Sequence, residues 1–217
     1  MYLNELLFNF KMSKQSLTDF LTGKLAYPIQ GMEKFPVGKF SQLMEQFGTT
    51  DFEKVVKMPQ YERIISEGMI LGYAEKRMYN GVEFGYHWGI DVMCESGTPV
   101  YAVDSGVIIK VNSIDDLSDK FTEQKYGNNL IVLNKYEDQE VLTLYGHLGC
   151  IRGFTKGQQV TKGNFLGKVG EGFTVENGGW PPHLHLQMGL SMQGLNPYAG
   201  KELEELTIDL EKVFRLG

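Results

Sequence analysis

The stretch Gly178–Gln187, written GGWPPHLHLQ, carries three signals at once. Gly178-Gly179 and Pro181-Pro182 make a stiff, extended entry, because proline has no amide hydrogen and disfavours helix in the residue before it. His183-Leu184-His185-Leu186-Gln187 then alternates polar and apolar, which is the period of a β-strand. Successive strand side chains point to opposite faces, so His183, His185 and Gln187 share one face while Leu184, Leu186 and Met188 share the other. A lone strand histidine is ordinarily a hydrogen-bonded surface or half-buried residue. Two side by side, on a strand with an apolar back, point to a metal, for which neutral imidazole is the commonest ligand.

The chain has only four histidines, His87, His147, His183 and His185, and all lie in its strand-rich middle. His87-Trp88-Gly89-Ile90-Asp91 supplies a second piece. A spacing of four puts His87 and Asp91 on one face of either a strand or a helix; as a strand, Trp88, Ile90 and Val92 face the core. One imidazole nitrogen, one carboxylate oxygen and a nitrogen from the strand pair His183/His185 make three protein ligands with a fourth position open. That is the arrangement of a catalytic zinc site; with no CxxC in the chain a closed thiolate site is excluded. Leu144-Tyr145-Gly146-His147-Leu148 is the third piece, where alternation puts Tyr145 and His147 on one face and Leu144 and Leu148 on the other. A histidine beside the metal can take a proton or steady a developing oxyanion, and Tyr145 is a candidate hydrogen-bond donor to that oxyanion or to substrate. Arg77, just upstream, is read as a surface ion pair, with a substrate carboxylate as its alternative partner.

Composition narrows the class. The 217 residues suit one medium domain with an appendage or two small ones, and 42% hydrophobic residues with 12% aromatics exclude general disorder. A net charge of −6 without a basic run argues against nucleic acid or an anionic membrane as partner. Gly167, Gly170 and Gly172 have the wrong spacing for a phosphate-binding loop, and no apolar run reaches a membrane span. Cys94 and Cys150, far apart and without CxxC spacing, read as reduced thiols. The opening MYLNELLFNFKM has no basic segment ahead of an apolar one and does not read as a signal peptide. The chain as written is therefore expected in the cytoplasm, or in the cell envelope or periplasm if a leader was removed.

Residues 1 to about 75 read as helices: Ser13 as N-cap before Leu17, Phe20 and Leu21; Phe40, Leu43, Met44 and Phe47 up to Gly48; Tyr61, Ile64 and Ile65 up to Gly68. Their apolar stripes say packing, not chemistry. From Gly81 short apolar strands alternate with glycine-rich turns, at 87–93, 99–103, 107–111, 130–134, 141–148, 165–169 and 183–189. Leu203, Leu206, Leu210, Val213 and Phe214 then line one face of an acidic helix. The expected fold is mainly β, an antiparallel sandwich or barrel-like core with helical N- and C-terminal extensions. The expected division is a helical extension at 1–80, a β-rich domain at 81–198 and an amphipathic helix at 199–217.

His-x-x-x-Asp, then Tyr-Gly-His-Leu, then His-Leu-His, in that order, resembles the lysostaphin/LytM-type zinc metallopeptidases (peptidase family twenty-three), which cut peptide bonds in bacterial peptidoglycan. The turns around Gly97-Thr98-Pro99-Val100, Gly106-Val107, Lys156-Gly157-Gln158, Val160-Thr161-Lys162-Gly163 and Leu166-Gly167 agree, so the resemblance covers roughly Gly81 to Tyr198. It implies a metallopeptidase core of the duplicated-hybrid-motif type. It implies one Zn2+ per chain held by His87, Asp91 and His185, which decides between the two strand histidines. It makes His147 and His183 the non-ligand pair that activates water and stabilises the tetrahedral intermediate, with the general base between them left open. The expected activity is zinc-dependent endopeptidase hydrolysis of peptidoglycan stem or cross-link peptides. A non-catalytic LytM-like binding or regulatory module is the alternative; such relatives typically lose motif residues, and all five are present here. A lipoyl-type carrier, suggested by Lys162-Gly163 and Leu166-Gly167, has no use for the histidines, and those glycines are simpler as turns.

Overall fold

The computed structural model describes residues 12–49, 52–79, 82–114, 126–196 and 198–216. Most of the opening segment, residues 1–11, read above for an export signal, lies outside them. The N-terminal part holds α1 (Lys14–Leu21), β1 (Val37–Gly38), α2 (Phe40–Phe47), α3 (Phe52–Val55), α4 (Pro59–Glu67), β2 (Met69–Leu71) and β3 (Glu75–Tyr79). The middle holds β4 (Val82–His87), β5 (Ile90–Met93), β6 (Pro99–Tyr101), β7 (Gly106–Asn112), β8 (Asn128–Tyr136), β9 (Gln139–Leu148), β10 (Gln159–Val160), β11 (Phe165–Lys168), β12 (His183–Gly189) and β13 (Tyr198–Ala199). The last helix is α5 (Leu210–Phe214).

The strands form an eight-stranded sheet in the order β1-β2-β5-β12-β9-β8-β7-β10, a β11-β6 ribbon and a three-stranded sheet β13-β4-β3. Apart from the parallel pair β1-β2, the strand pairings among the described residues are antiparallel. The fold is thus mainly β and antiparallel, as expected, and among the described residues the sheets do not close into a barrel.

Alternation builds the core. Leu184, Leu186 and Met188 of β12 are fully buried with Ile90 and Val92 of β5 and Leu130 and Val132 of β8. Val100 and Leu166 of the β6-β11 ribbon join the same cluster, as do Leu17 and Leu21 of α1 and Leu210 and Val213 of α5. The opposite sheet face carries a second cluster, where Phe40, Leu43 and Met44 of α2 meet Tyr61, Leu71 and Met93. A third lies beyond it, with Ile131, Leu142 and Leu144. Between these two, the polar face of β12 is walled in.

The helix ends follow local chemistry. Ser13 Oγ accepts from the Ser16 amide 3.1 Å away, and α2 stops at Gly48, whose φ of 66° is the left-handed C-cap that glycine adopts without strain. Three readings change. Strands β1, β2 and β3 lie inside the stretch read as helical, and β2 pairs with β5 as part of the main sheet. Two- and three-residue strands leave no periodicity to read. The strand read over 87–93 is broken at Trp88-Gly89 into β4 and β5, which belong to different sheets. The C-terminal helix is also broken: Lys201–Leu206 is a 3-10 turn, Ile208 donates to Met188 O at 2.9 Å at the end of β12, and Asp209 caps a fresh helix through the Lys212 amide. Leu203, Leu210, Val213 and Phe214 are buried as expected.

Leu21, fully buried in the main cluster, tests whether α1 is part of one cooperative core. Leu21→Ala is expected to cost about 2–5 kcal/mol in urea unfolding. A loss below about 1 kcal/mol would mean that α1 docks as a separable unit.

Candidate metal centre

β12 runs between β5 and β9, and His185 lies opposite Asp91 on one side and Gly146 on the other. The register therefore brings the Asp91 carboxylate to the His185 ring with no loop involved. His87 arrives from the three-stranded sheet as the last residue of β4. The chain then passes tightly by His185: a Cβ on Gly89 would meet His185 Cε1 at 2.7 Å and Leu186 O at 2.7 Å, so this link in the His-Trp-Gly-Ile-Asp run has to be glycine.

Three atoms result, His87 Nε2, Asp91 Oδ1 and His185 Nδ1, with separations of 3.1, 2.9 and 3.1 Å. Ligands ~2.0–2.1 Å from a tetrahedral zinc lie ~3.4 Å apart, so the triangle closes on such an ion with a few tenths of an ångström of expansion. All three side chains are buried. Two imidazole nitrogens and one carboxylate oxygen are the donor set of an open, catalytic zinc position.

The partners behind these atoms fix their orientation. His185 Nε2 donates to Gln187 Oε1 at 3.0 Å, which leaves Nδ1 as the ring's lone pair. The Gln187 amide is itself locked by Nε2 donating to Gly194 O at 2.8 Å. Arg77 Nη2 lies 3.3 Å from Asp91 Oδ2 and donates to His87 Nδ1 at 3.2 Å. With Nδ1 accepting, the neutral His87 ring carries its proton on Nε2, facing Asp91 Oδ1. A cation captured here takes the place of that proton.

His147 and His183 stand beside the triangle with ring centroids 4.1 Å apart. Each donates its Nδ1–H to a backbone carbonyl, Asn177 O at 2.7 Å and Pro181 O at 2.8 Å, so Nε2 is the basic nitrogen in both. His183 Nε2 lies 3.7 Å from Asp91 Oδ1.

The structure thus gathers His87, Asp91, His185, His147 and His183, and leaves Tyr145 out. Tyr145 is fully buried on the core face opposite Leu186, and its hydroxyl accepts from the Val103 amide at 2.9 Å. Alternation fails because His147 has φ of 60°, a left-handed conformation rare for a residue with Cβ. Tyr145 and Leu148 therefore join the main core, Leu144 joins the cluster across the sheet, and His147 swings to the face of His183. Arg77 is likewise no surface residue: 1% exposed, it pairs inward with Asp91.

Sequence reading passed over four contributors. Gln187 carried a visible signal, sharing the face of His183 and His185. Tyr126, which packs 4.9 Å from the His185 ring and donates to Leu195 O, carried none. Nor did Asn177, which contributes a backbone oxygen, or Glu75, which stands behind Arg77. Cys94 is buried and Cys150 exposed, both as free thiols.

Burial is the main reason the imidazoles resist protonation. It lowers His87 to about 4, and it holds His147 well below the ordinary histidine value and His183 below it. For Asp91 burial pushes upward, but His87 and His183 outweigh it and hold the carboxyl well below its usual range.

Two outcomes follow from this geometry. Unfolded histidines protonate near pH ~6.5 while folded His87, His147 and His183 stay neutral, so the unfolded chain binds more protons as the pH falls. The metal-free protein is therefore expected to lose thermal stability progressively from about pH 6.5 toward 4. A flat Tm across that range would mean the rings protonate without unfolding. Tyr145→Phe strands the Val103 amide and is expected to cost about 1–3 kcal/mol of stability with hydrolytic rate unchanged; a selective loss of rate would return Tyr145 to the site.

A family model described as Peptidase family M23 matches residues 85–197, just over half of the chain, and that stretch includes all five site residues. No curated protein matches. Among solved structures, a point mutant of the catalytic domain of the prophage-encoded M23 protein EnpA from Enterococcus faecalis is 26% identical, covering 54% of this chain and 76% of that one, with a TM-score of 0.40. A zinc-containing peptidase from Vibrio cholerae is 25% identical over 54% of this chain and 31% of its own, with a TM-score of 0.39. Lysostaphin is 24% identical over 64% and 46%, with a TM-score of 0.42. This chain thus spans three quarters of the EnpA chain and less than half of the other two. On the family model, the chain belongs to peptidase family M23.

Proposed function

We propose that this chain is a zinc-dependent endopeptidase that hydrolyses stem or cross-link peptides of peptidoglycan. One observation carries the reading: the triangle of His87, Asp91 and His185 stands beside two imidazoles whose Nδ1–H groups are both tied to backbone carbonyls. Membership of a peptidase family supports a peptide substrate, and the order of the His/Asp motifs supports a cell-wall one. A wall substrate puts the site of action in the cell envelope. No helix among the described residues is long and apolar enough to cross a membrane.

Zinc held by His87, Asp91 and His185 would supply a Lewis acid for the scissile carbonyl and lower the pKa of a coordinated water to ~7. The chain's own groups do the remaining work. His147 and His183, neutral through burial and oriented by Asn177 O and Pro181 O, present two Nε2 atoms on one side of the triangle. One Nε2 takes the proton of the attacking water, hydrogen-bonds the developing oxyanion through it and returns it to the leaving amine; the other accepts from the water's second hydrogen and holds it in line. Gln187 keeps His185 in the tautomer with Nδ1 unprotonated, so that its lone pair is free for a cation shared with Asp91.

Metal content by mass spectrometry and peptidoglycan digestion test the reading together. Wild type is expected to carry about one zinc per chain and His185→Ala none. His147→Ala and His183→Ala are expected to keep zinc and lose about 10²–10⁴-fold in rate. A wild type that takes no zinc on resupply would overturn the metal reading. Zinc without hydrolysis of any wall peptide would leave a binding module.

A further inference from the structure

Behind the triangle runs a second line of buried charge. The Asp91 carboxylate is divided: Oδ1 faces His87 and His185, while Oδ2 faces Arg77 Nη2 at 3.3 Å. The same guanidinium lies with Nε 3.6 Å from Glu75 Oε2, and its Cζ sits 4.7 Å from the centroid of the Phe40 ring. Glu75 faces away from the site. Its Oε2 accepts from the Phe40 amide and its Oε1 from the Ser41 amide, each at 2.7 Å, so one carboxylate takes up two amides at the start of α2. The Arg77 and Glu75 side chains are 1% and 8% exposed. The charges alternate along the line from Asp91 through Arg77 to Glu75, ending on the positive end of a helix dipole.

We propose that Glu75 and Arg77 are positioning residues of the metal centre, which tie the orientation of the Asp91 carboxylate to the start of α2. The inference rests on the metal reading above and deepens it. Arg77 holds Oδ2, so Asp91 offers a single oxygen to the triangle. Glu75 neutralises Arg77, whose charge would otherwise repel a cation bound a few ångströms further on. Helix α2, outside the stretch matched by the family model, is thereby part of the frame of the site. Glu75 lies opposite His87 in the β3-β4 pair, but its carboxylate turns to Arg77 and the α2 amides, and its loss acts on the metal in one direction. A neutral side chain there loosens Arg77 and leaves its charge uncompensated, and both effects weaken cation binding.

Cobalt(II) titration of the metal-free full chain, followed by visible absorption and by competition with a chelator, tests this. Glu75→Gln is expected to bind cobalt about 10–100-fold more weakly than wild type, with altered intensity of the ligand-field bands because Asp91 is no longer fixed. In an Arg77→Met background the same change is expected to have no further effect, since Glu75 acts through Arg77. Wild-type affinity and spectrum in Glu75→Gln overturn the proposal and leave the metal reading standing. An equal loss with or without Arg77 also overturns it, and if Arg77→Met does not fold, the single variant decides. A wild type that binds no cobalt overturns the metal reading, and this inference with it.

Discussion

Asp91 sits within an eight-stranded sheet with its carboxylate side chain 8% exposed, and an anion so placed persists only among cations and hydrogen-bond donors. Every element around the site can be understood as meeting that demand. β12 brings His185 by direct cross-strand pairing, β4 brings His87 from a different sheet, and β3 brings Arg77. Helices α2 and α4 then cover this side of the sheet with apolar side chains. Removing one member would leave a charge buried without its partner, which is far worse than removing both. A divalent ion fits the same logic, as a stronger counter-charge for a group already surrounded.

The central strand divides its labour by period two. Leu184, Leu186 and Met188 hold the main core, while His183, His185 and Gln187 face the site; all six are buried. The site is therefore built on a strand paired on both sides, by β5 and β9, and not on a loop, so its geometry inherits the rigidity of the sheet. His147 is the exception, since it reaches the site through a left-handed backbone. Such strain survives only where surrounding contacts impose it, and here the imidazole is pinned to Asn177 O and the His147 carbonyl accepts from the Gly170 amide.

What could be read from the sequence follows from which signals are local. Alternation in His183–Gln187 gave the strand and its faces, the glycine-bounded apolar runs gave the β core, and Ser13 and Gly48 marked helix ends. The five residues gathered at the site were legible because motif spacing survives in one dimension. Tyr145 was misread because alternation assumes a regular strand, and nothing in Tyr-Gly-His-Leu announces a left-handed histidine. Arg77 and Glu75 sit in a polar stretch, Glu-Lys-Arg-Met, that looks solvated; only the packing of α2 over β3 makes it an interior. The short β1 and β2 pair through backbone groups with partners far along the chain, which leaves no periodic trace.

The His-Leu-His repeat also makes the strand ambiguous in register. A slip of two residues along β5 would preserve the apolar face, since alternation has period two, and would set His183 opposite Asp91 where His185 now stands. The two histidines would then trade places, with His183 set against the Asp91 carboxylate. Such a slip would draw Pro181 into the position opposite Met93, and proline has no amide to give the ladder. It would also pull Gln187 away from the Gly194 carbonyl that anchors it. The Trp-Pro-Pro entry and the terminal glutamine thus act as stops at the two ends of one sliding element, and between them they decide which imidazole stands opposite Asp91.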